Sequence, residues 1–179
     1  MTEHARVYGG SLYDLAAEEK LSDVILEEMK VVRDVFYDNA DYLRLLSEPS
    51  IKKEERLKLI DDAFGKDAQK YLVSFIKLLC ERNLLGEFGS CTEEFEKRYN
   101  LDHNIAEATV TSAVPLDDNQ LQALKKKLEA ISGKSVSLKT SVDPKVLAGL
   151  KIELEGKQLD GTVSGRLSDI SKKFDEIII

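Results

Sequence analysis

A glycine-lysine-serine triplet is the first grouping in the sequence whose residue types could do chemistry. Gly133-Lys134-Ser135 matches the end of a phosphate-binding loop, in which backbone N–H groups and a lysine hold phosphate oxygens. That motif also needs a glycine where Leu128 stands, and it needs a strand before the loop and a helix after it. The pattern here predicts a helix followed by a strand. We therefore interpret Gly133 as the residue that ends a helix.

The candidate nucleophiles and metal ligands do not form a recognisable catalytic pattern. Ser50 and Lys53 fit the S-x-x-K spacing of certain acyl-transfer enzymes, but the companion S-D-N and K-T-G elements are missing from the sequence. His4 and His103 are the only histidines, and a metal site or a histidine-activated nucleophile needs more partners than these. We therefore predict that the protein is not an enzyme and has no catalytic, cofactor-binding or metal-binding residues.

The composition narrows the class of protein further. Of the 179 residues, 42% are apolar and 33% are charged, which is typical of a globular chain. No apolar run reaches the roughly 18 residues of a transmembrane helix, so we expect no direct membrane insertion. The net charge of −7, the absence of Trp and an aromatic content of 7% argue against a nucleic-acid partner.

Cysteine content and the N-terminal segment indicate the compartment. Cys80 and Cys91 are too few for a disulfide scaffold and fit a reducing environment. Both fall on apolar helical stripes, so we interpret them as packing residues. The segment MTEHARVYGG resembles neither a signal peptide nor a transit peptide. We therefore expect a cytosolic protein, or one assembled from the cytosolic side.

Charge and hydrophobic period both change near Asn104. Residues 1–104 carry 22 acidic and 15 basic side chains, whereas residues 105–179 carry 11 of each. Apolar residues recur with helical spacing in the first part and alternate in short stretches in the second. We predict an α+β protein with an all-α six-helix bundle over residues 1–104 and a small β-α-β-β-α domain over residues 105–179.

Capping residues predict the helix boundaries of the first domain. Ser22 or Asp23 is expected to begin one helix, Ser50 a later one and Asp67 the next. Gly65 is expected to end the helix before Asp67 in a left-handed conformation. A last long helix carries one apolar stripe formed by Phe88, Cys91, Phe95 and Tyr99.

The second domain has a stronger capping signal. Asp117 and Gln120 have the spacing of a capping box, and Gly133 is expected to end the helix that they begin. Strands are expected over residues 105–113 and 150–154, with one between them that contains Val136, Leu138 and Val142, and a hairpin turn at Glu155-Gly156-Lys157 is expected to lead into a short fourth strand. The predicted buried stripes are Leu121, Leu124, Leu128 and Ile131 on the first helix, and Val163, Leu167, Ile170, Phe174 and Ile177 on a final one.

Two helices of the first domain carry more apolar surface than one buried stripe requires. The helix after Asp67 has a second apolar face beside its first, and the N-terminal helix shows the same excess. A groove between these helices that receives an amphipathic partner helix would account for both. The residues concerned are Tyr71, Phe75 and Leu78 beside Leu72, Ile76 and Leu79, and Val7, Tyr8, Leu12, Tyr13, Leu15 and Ala16.

Two adjacent glycines lie inside the N-terminal helix. Gly9 and Gly10 each cost about 1 kcal/mol relative to Ala in a helix, which suggests close backbone approach to another helix. The alternative is that the helix begins at Ser11, with Ser11 and Asp14 as its capping pair.

Several motifs follow one another in a characteristic order. They are Arg6-Val7-Tyr8, Leu78 through Asn83, Thr111-Ser112-Ala113, Val142-Asp143-Pro144 through Ile152, Asp160-Gly161-Thr162-Val163 and Gly165-Arg166-Leu167. This order resembles the delta subunit of F-type ATP synthases, a family whose mitochondrial members are called the oligomycin-sensitivity-conferring protein. The resemblance covers essentially the whole chain.

The resemblance implies a non-catalytic subunit of the peripheral stalk, or stator. The first domain would hold the N-terminal helix of an alpha subunit of the catalytic head, and the second would bind the membrane-anchored b subunits. Rotor torque would then be resisted, so that ion translocation is coupled to ATP synthesis. One copy per complex is implied, at the cytoplasmic side of a bacterial membrane. The alternative is a helical adaptor, a binding module of another complex.

The resemblance also implies which residues line the groove. On the first helix they are Tyr8, Ser11, Leu12 and Leu15, and on the fifth they are Phe75, Leu78 and Leu79. Members of the family usually have alanine where Ser11 stands, so this chain places a hydroxyl at the groove.

Overall fold

The computed structural model describes residues 2–144, 146 and 149–160 of the chain. It is mixed α+β, as predicted, and divides into two compact units, Met1–Tyr99 and Asn100–Ile179. The division lies within the last turn of a helix, shortly before the predicted boundary at Asn104. The predicted final helix, from Val163 to Ile177, lies outside the described residues.

The first unit is helical. Its buried residues form one apolar cluster to which every helix contributes. Four edge-to-face aromatic pairs, with ring centroids 5.2 to 6.5 Å apart, join distant parts of this cluster. The elements are α1 (Glu3–Glu18), α2 (Ser22–Asp38), α3 (Ala40–Ser47), α4 (Lys53–Phe64), α5 (Lys70–Glu81), a 3₁₀ turn (Leu85–Glu87) and α6 (Phe88–Asp102).

Four of the predicted helix caps differ from the structure. Neither Ser22 nor Asp23 caps α2, whose N-cap is Leu21 without a side-chain hydrogen bond. Ser50 bonds Glu48 instead, Oγ to Oε1 3.1 Å, and α4 begins after Lys52. Gly65 is the C-cap of α4, as predicted, but its φ of −64° is right-handed and not left-handed. Asp67 does not cap α5, which begins after Gln69.

The N-terminus of α5 is capped from a distant helix. Glu28 of α2 accepts a hydrogen bond from the backbone N–H of Gln69, at 2.8 Å. A carboxylate at this end also interacts favourably with the helix dipole. Spacing within α5 carries no signal for this contact, because the two residues are far apart in sequence.

The α1 helix starts at Glu3, capped by the Thr2 side chain, so the alternative start at Ser11 is wrong. Gly9 and Gly10 lie against α6, as the close-approach interpretation predicts. A Cβ on Gly9 would lie 2.5 Å from the backbone oxygen of Cys91. A Cβ on Gly10 would meet the guanidinium of Arg98, which pairs with Asp14 at 3.1 Å. The glycines therefore let α1 pack backbone to backbone on α6.

Both cysteines are buried free thiols. Burial raises the pKa of the Cys91 thiol from its ordinary value of 9.0 to about 11, and burial also raises the pKa of Cys80. Both thiols are therefore neutral at physiological pH, consistent with their interpretation as packing residues.

The second unit contains a four-stranded sheet with one described helix. Strand order is β2-β1-β3-β4; β1 pairs parallel with β2 and antiparallel with β3. The parallel pair requires a crossover, and α7 supplies it. The elements are β1 (Ile105–Ser112), α7 (Asp118–Ser132), β2 (Ser135–Val142), β3 (Leu150–Leu154) and β4 (Lys157–Asp160).

The local predictions for this unit are mostly confirmed. Asp117 and Gln120 form the capping box, and Gly133 ends α7 with φ 69°. Glu155 and Gly156 turn the β3–β4 hairpin with φ 49° and 79°. Ile131, however, is 70% exposed. The prediction that Ile131 is buried is therefore wrong; this residue lies in the last turn of α7, which ends at Ser132.

Candidate functional site

A groove of about 240 Å³ lies between α1 and α5 of the first unit. Its walls contain six of the seven residues that the sequence analysis assigned to partner binding. The face of α1 that carries Gly9 and Gly10 packs on α6. A different face of the helix, which carries Leu12, lines the groove together with α5. The predicted residues found there are Tyr8, Ser11, Leu12, Leu15, Phe75 and Leu78.

Leu79 is absent from the groove. Its side chain is 0% exposed and belongs to the core cluster, whereas Leu78 is 38% exposed. One residue step turns a helix by about 100°, so neighbours in sequence serve different surfaces here. We therefore remove Leu79 from the candidate contact set.

Two residues that the sequence analysis did not assign to the site also line the groove. Tyr71 and Ser74 lie on the α5 wall. Tyr71 already belonged to the second apolar face predicted for this helix. Ser74 was missed because a serine contributes nothing to an apolar pattern, although its helical spacing from Tyr71 and Leu78 places it on the same face.

The groove is apolar at its base and has charges only at its margins. Phe75 and Leu12 are 6% and 4% exposed, whereas Leu15 is 37% exposed. Lys70, just outside the groove, lies over the Tyr71 ring, with its Nζ 5.0 Å from the ring centroid. The arrangement has the composition of a helix-binding surface: large apolar side chains that remain partly open to water.

The residues singled out for chemistry are dispersed in the structure. Lys134 follows the left-handed residue that ends α7, and its Nζ lies 2.5 Å from a Glu155 carboxylate oxygen. Ser50 and Lys53 lie at the loop before α4 and at its first residue. No group of three or more His, Cys, Asp or Glu residues within the described part of the chain has the geometry of a metal site. None of its helices is long and apolar enough to cross a membrane.

Comparisons with known proteins agree across nearly the full chain. The sequence model of the family described as "ATP synthase delta (OSCP) subunit" matches residues 5–174. The ATP synthase subunit delta of Clostridium kluyveri is 30% identical over 93% of this chain and 92% of that protein. The subunit delta of Clostridioides difficile is 26% identical over 97% of each chain.

A solved structure gives the same fold. A chain in the cryo-EM structure of the Toxoplasma gondii mitochondrial ATP synthase hexamer superposes with a TM-score of 0.77, covering 97% of this chain and 98% of that one. The two sequences are only 12% identical, so this likeness concerns the fold alone.

Proposed function

Because the chain belongs to the ATP synthase delta (OSCP) family, we propose that it is a non-catalytic subunit of the peripheral stalk of an F-type ATP synthase. In this role it links the catalytic head to the membrane-anchored b subunits. One copy serves each complex, peripherally at the cytoplasmic side of a bacterial membrane. The observation that carries the proposal is the groove between α1 and α5. In a chain of this family, such a groove offers a surface on which a helix of the catalytic head could bind.

The proposed occupant of the groove is the amphipathic N-terminal helix of an alpha subunit. Leu15 and Leu78 are each more than one-third exposed at the groove, and an apolar helix face would remove them from water. The first domain is also acidic, with 22 acidic and 15 basic side chains in residues 1–104. A partner helix with a basic edge would therefore associate faster.

The proposed b-subunit contact lies in the second unit. Ser112, Val142 and Leu150 are aligned across the end of three adjacent strands. A cavity of about 510 Å³ opens at this end, lined in part by Val114 and Leu116, and Val114 is 66% exposed. Exposed apolar residues beside a cavity are typical of a protein–protein contact.

The mechanism that follows is mechanical. A rotor that turns inside the catalytic head exerts torque on it, and the stalk must prevent the head from rotating. This task requires slow dissociation at two separate attachments rather than a reactive group. Burying apolar helix surface in a groove supplies slow dissociation, because differences in affinity reside mostly in the off-rate.

Reconstitution of the enzyme tests the proposal. Heads depleted of this subunit are combined with membranes that contain the b subunits, and ATP-driven ion uptake is measured after addition of the full chain. The wild-type chain should restore uptake. Leu78→Asp should restore less than about a tenth of it, because a carboxylate would have to be buried against apolar side chains.

A matched substitution controls for a general effect of a surface carboxylate. Leu45 on α3 is 40% exposed, close to the 38% of Leu78, and does not line the groove. Leu45→Asp should restore uptake like the wild type. Equal activity of the Leu78→Asp and Leu45→Asp chains would contradict the groove's role.

A further inference from the structure

The two walls of the groove have the same order of residue types. Tyr, Ser, an apolar residue and Leu follow at positions i, i+3, i+4 and i+7 on both α1 and α5. Each wall therefore contributes one phenol and one small hydroxyl to a groove whose other lining residues are apolar. The two sets are Tyr8, Ser11, Leu12 and Leu15, and Tyr71, Ser74, Phe75 and Leu78.

The serine hydroxyls of both walls are unused by the rest of the described chain. A serine in a helix often donates to the carbonyl four residues earlier, as Ser47 does to Leu43 at 2.9 Å and Thr92 does to Phe88 at 3.0 Å. Ser11 and Ser74 make no hydrogen bond to any described residue.

The hydroxyls of the two groove tyrosines also lack hydrogen-bond partners among the described residues, unlike those of Tyr42 and Tyr99. The Tyr42 hydroxyl donates to the Leu59 carbonyl oxygen at 3.1 Å, and the Tyr99 hydroxyl donates to Asp23 at 2.7 Å. The hydroxyls of Tyr8 and Tyr71 have no such partner among the described residues. Within residues 2–144, 146 and 149–160, therefore, none of the four groove hydroxyls has a hydrogen-bond partner.

Covering the groove would exclude water from these hydroxyls. A partner helix with a purely apolar face would offer the two serine hydroxyls no hydrogen bond. Each hydroxyl would then either turn back to the carbonyl oxygen four residues earlier, which leaves its own oxygen without a donor, or stay unsatisfied. An unsatisfied buried hydroxyl weakens binding by about fivefold or more. A partner with hydrogen-bonding side chains at these points would avoid the loss. The groove therefore discriminates between helices of equal hydrophobicity.

We infer that Ser11 and Ser74 are specificity-determining residues, which select a helix whose apolar face carries carboxamide, carboxylate or ammonium groups opposite them. This inference rests on the proposed function of the groove. It goes further in stating which chemistry the partner must bring, and it assigns Ser74 the same role as Ser11 on the facing wall.

Direct peptide binding by serine-to-alanine variants tests the inference. The full chain is titrated into a fluorescent peptide of about 20 residues, from the N-terminus of the alpha subunit of the same organism, and anisotropy gives Kd. Ser11→Ala and Ser74→Ala should each raise Kd about 2- to 10-fold, and the double variant should raise it by about the product. Alanine has the higher helix propensity, so neither change should lower Tm.

Ser47→Ala is the matched control, because Ser47 is an exposed helical serine outside the groove. It should leave Kd unchanged. A double variant that binds within twofold of wild type would overturn the inference and leave the proposed function intact. Tighter binding would also overturn it, since the hydroxyls would then be buried unpaired. No binding by the wild-type chain would refute both the inference and the proposed function.

Discussion

At the scale of single residues, the groove depends on the absence of a side chain at Gly9. An added Cβ would lie 2.5 Å from the Cys91 backbone oxygen, and backbone cannot move aside as a flexible side chain can. Gly9→Ala should therefore destabilise the protein by about 1–3 kcal/mol, even though alanine is the better helix former. Chemical denaturation of the full chain measures the difference.

Gly89 provides the matched control for this substitution. It also lies in a helix, but a Cβ there would meet nothing within 4 Å. Gly89→Ala should therefore be neutral or stabilising by up to about 1 kcal/mol. If the two variants lose equal stability, the loss in Gly9→Ala does not come from the close packing of α1 on α6.

Single residues also mark the limit of what sequence reasoning reaches. The close approach at Gly9 and Gly10 could be predicted from sequence, because two residues of low helix propensity inside a helix require a compensating contact. The residue that Gly9 contacts could not be predicted, since Cys91 is distant in the chain. The Glu28 cap on α5 was missed for the same reason, and Asp67, a good cap by type and position, was predicted instead.

At the scale of elements, neighbouring residues of α5 belong to two different surfaces: Leu78 lines the groove and Leu79 lies in the core. Leu79→Asp should unfold the first unit, because Leu79 is 0% exposed in the core cluster and a buried unpaired carboxylate is strongly destabilising. Leu78→Asp should leave Tm within a few degrees of wild type. Thermal unfolding followed by circular dichroism compares them. If Leu78→Asp also unfolds the unit, Leu78 is a core residue and not a groove residue.

Local features of the second unit could be predicted from sequence, whereas the order of its strands could not. The capping box of Asp117 and Gln120 and the turn at Gly156 are encoded within a few residues, so the sequence alone indicates them. The order β2-β1-β3-β4 depends on pairing between distant segments. On α5, the second apolar face indicated a groove, but Ser74 contributes nothing to an apolar pattern and is identified only from its place in the folded chain.

At the scale of the whole molecule, the proposed attachments to the head and to the b subunits lie in different units. A chain that ends after Asp160 removes the segment predicted to form the final helix, and that segment is distant in sequence from both groove helices. Binding of the alpha-subunit peptide should be unchanged. Binding of the b subunits should be lost, because the second unit, in which that contact is proposed, would lack the segment predicted to complete it. Pull-down with each partner measures the two separately. Loss of both together would contradict independent attachments.

The central claim is that the groove between α1 and α5 holds an apolar helix of the catalytic head. Calorimetric titration of the full chain with the N-terminal peptide of the alpha subunit, at several temperatures, tests it most directly. We predict saturable one-to-one binding with a negative heat-capacity change, the signature of buried apolar surface. A folded chain that binds no peptide, or binds it without a negative heat-capacity change, would contradict the claim.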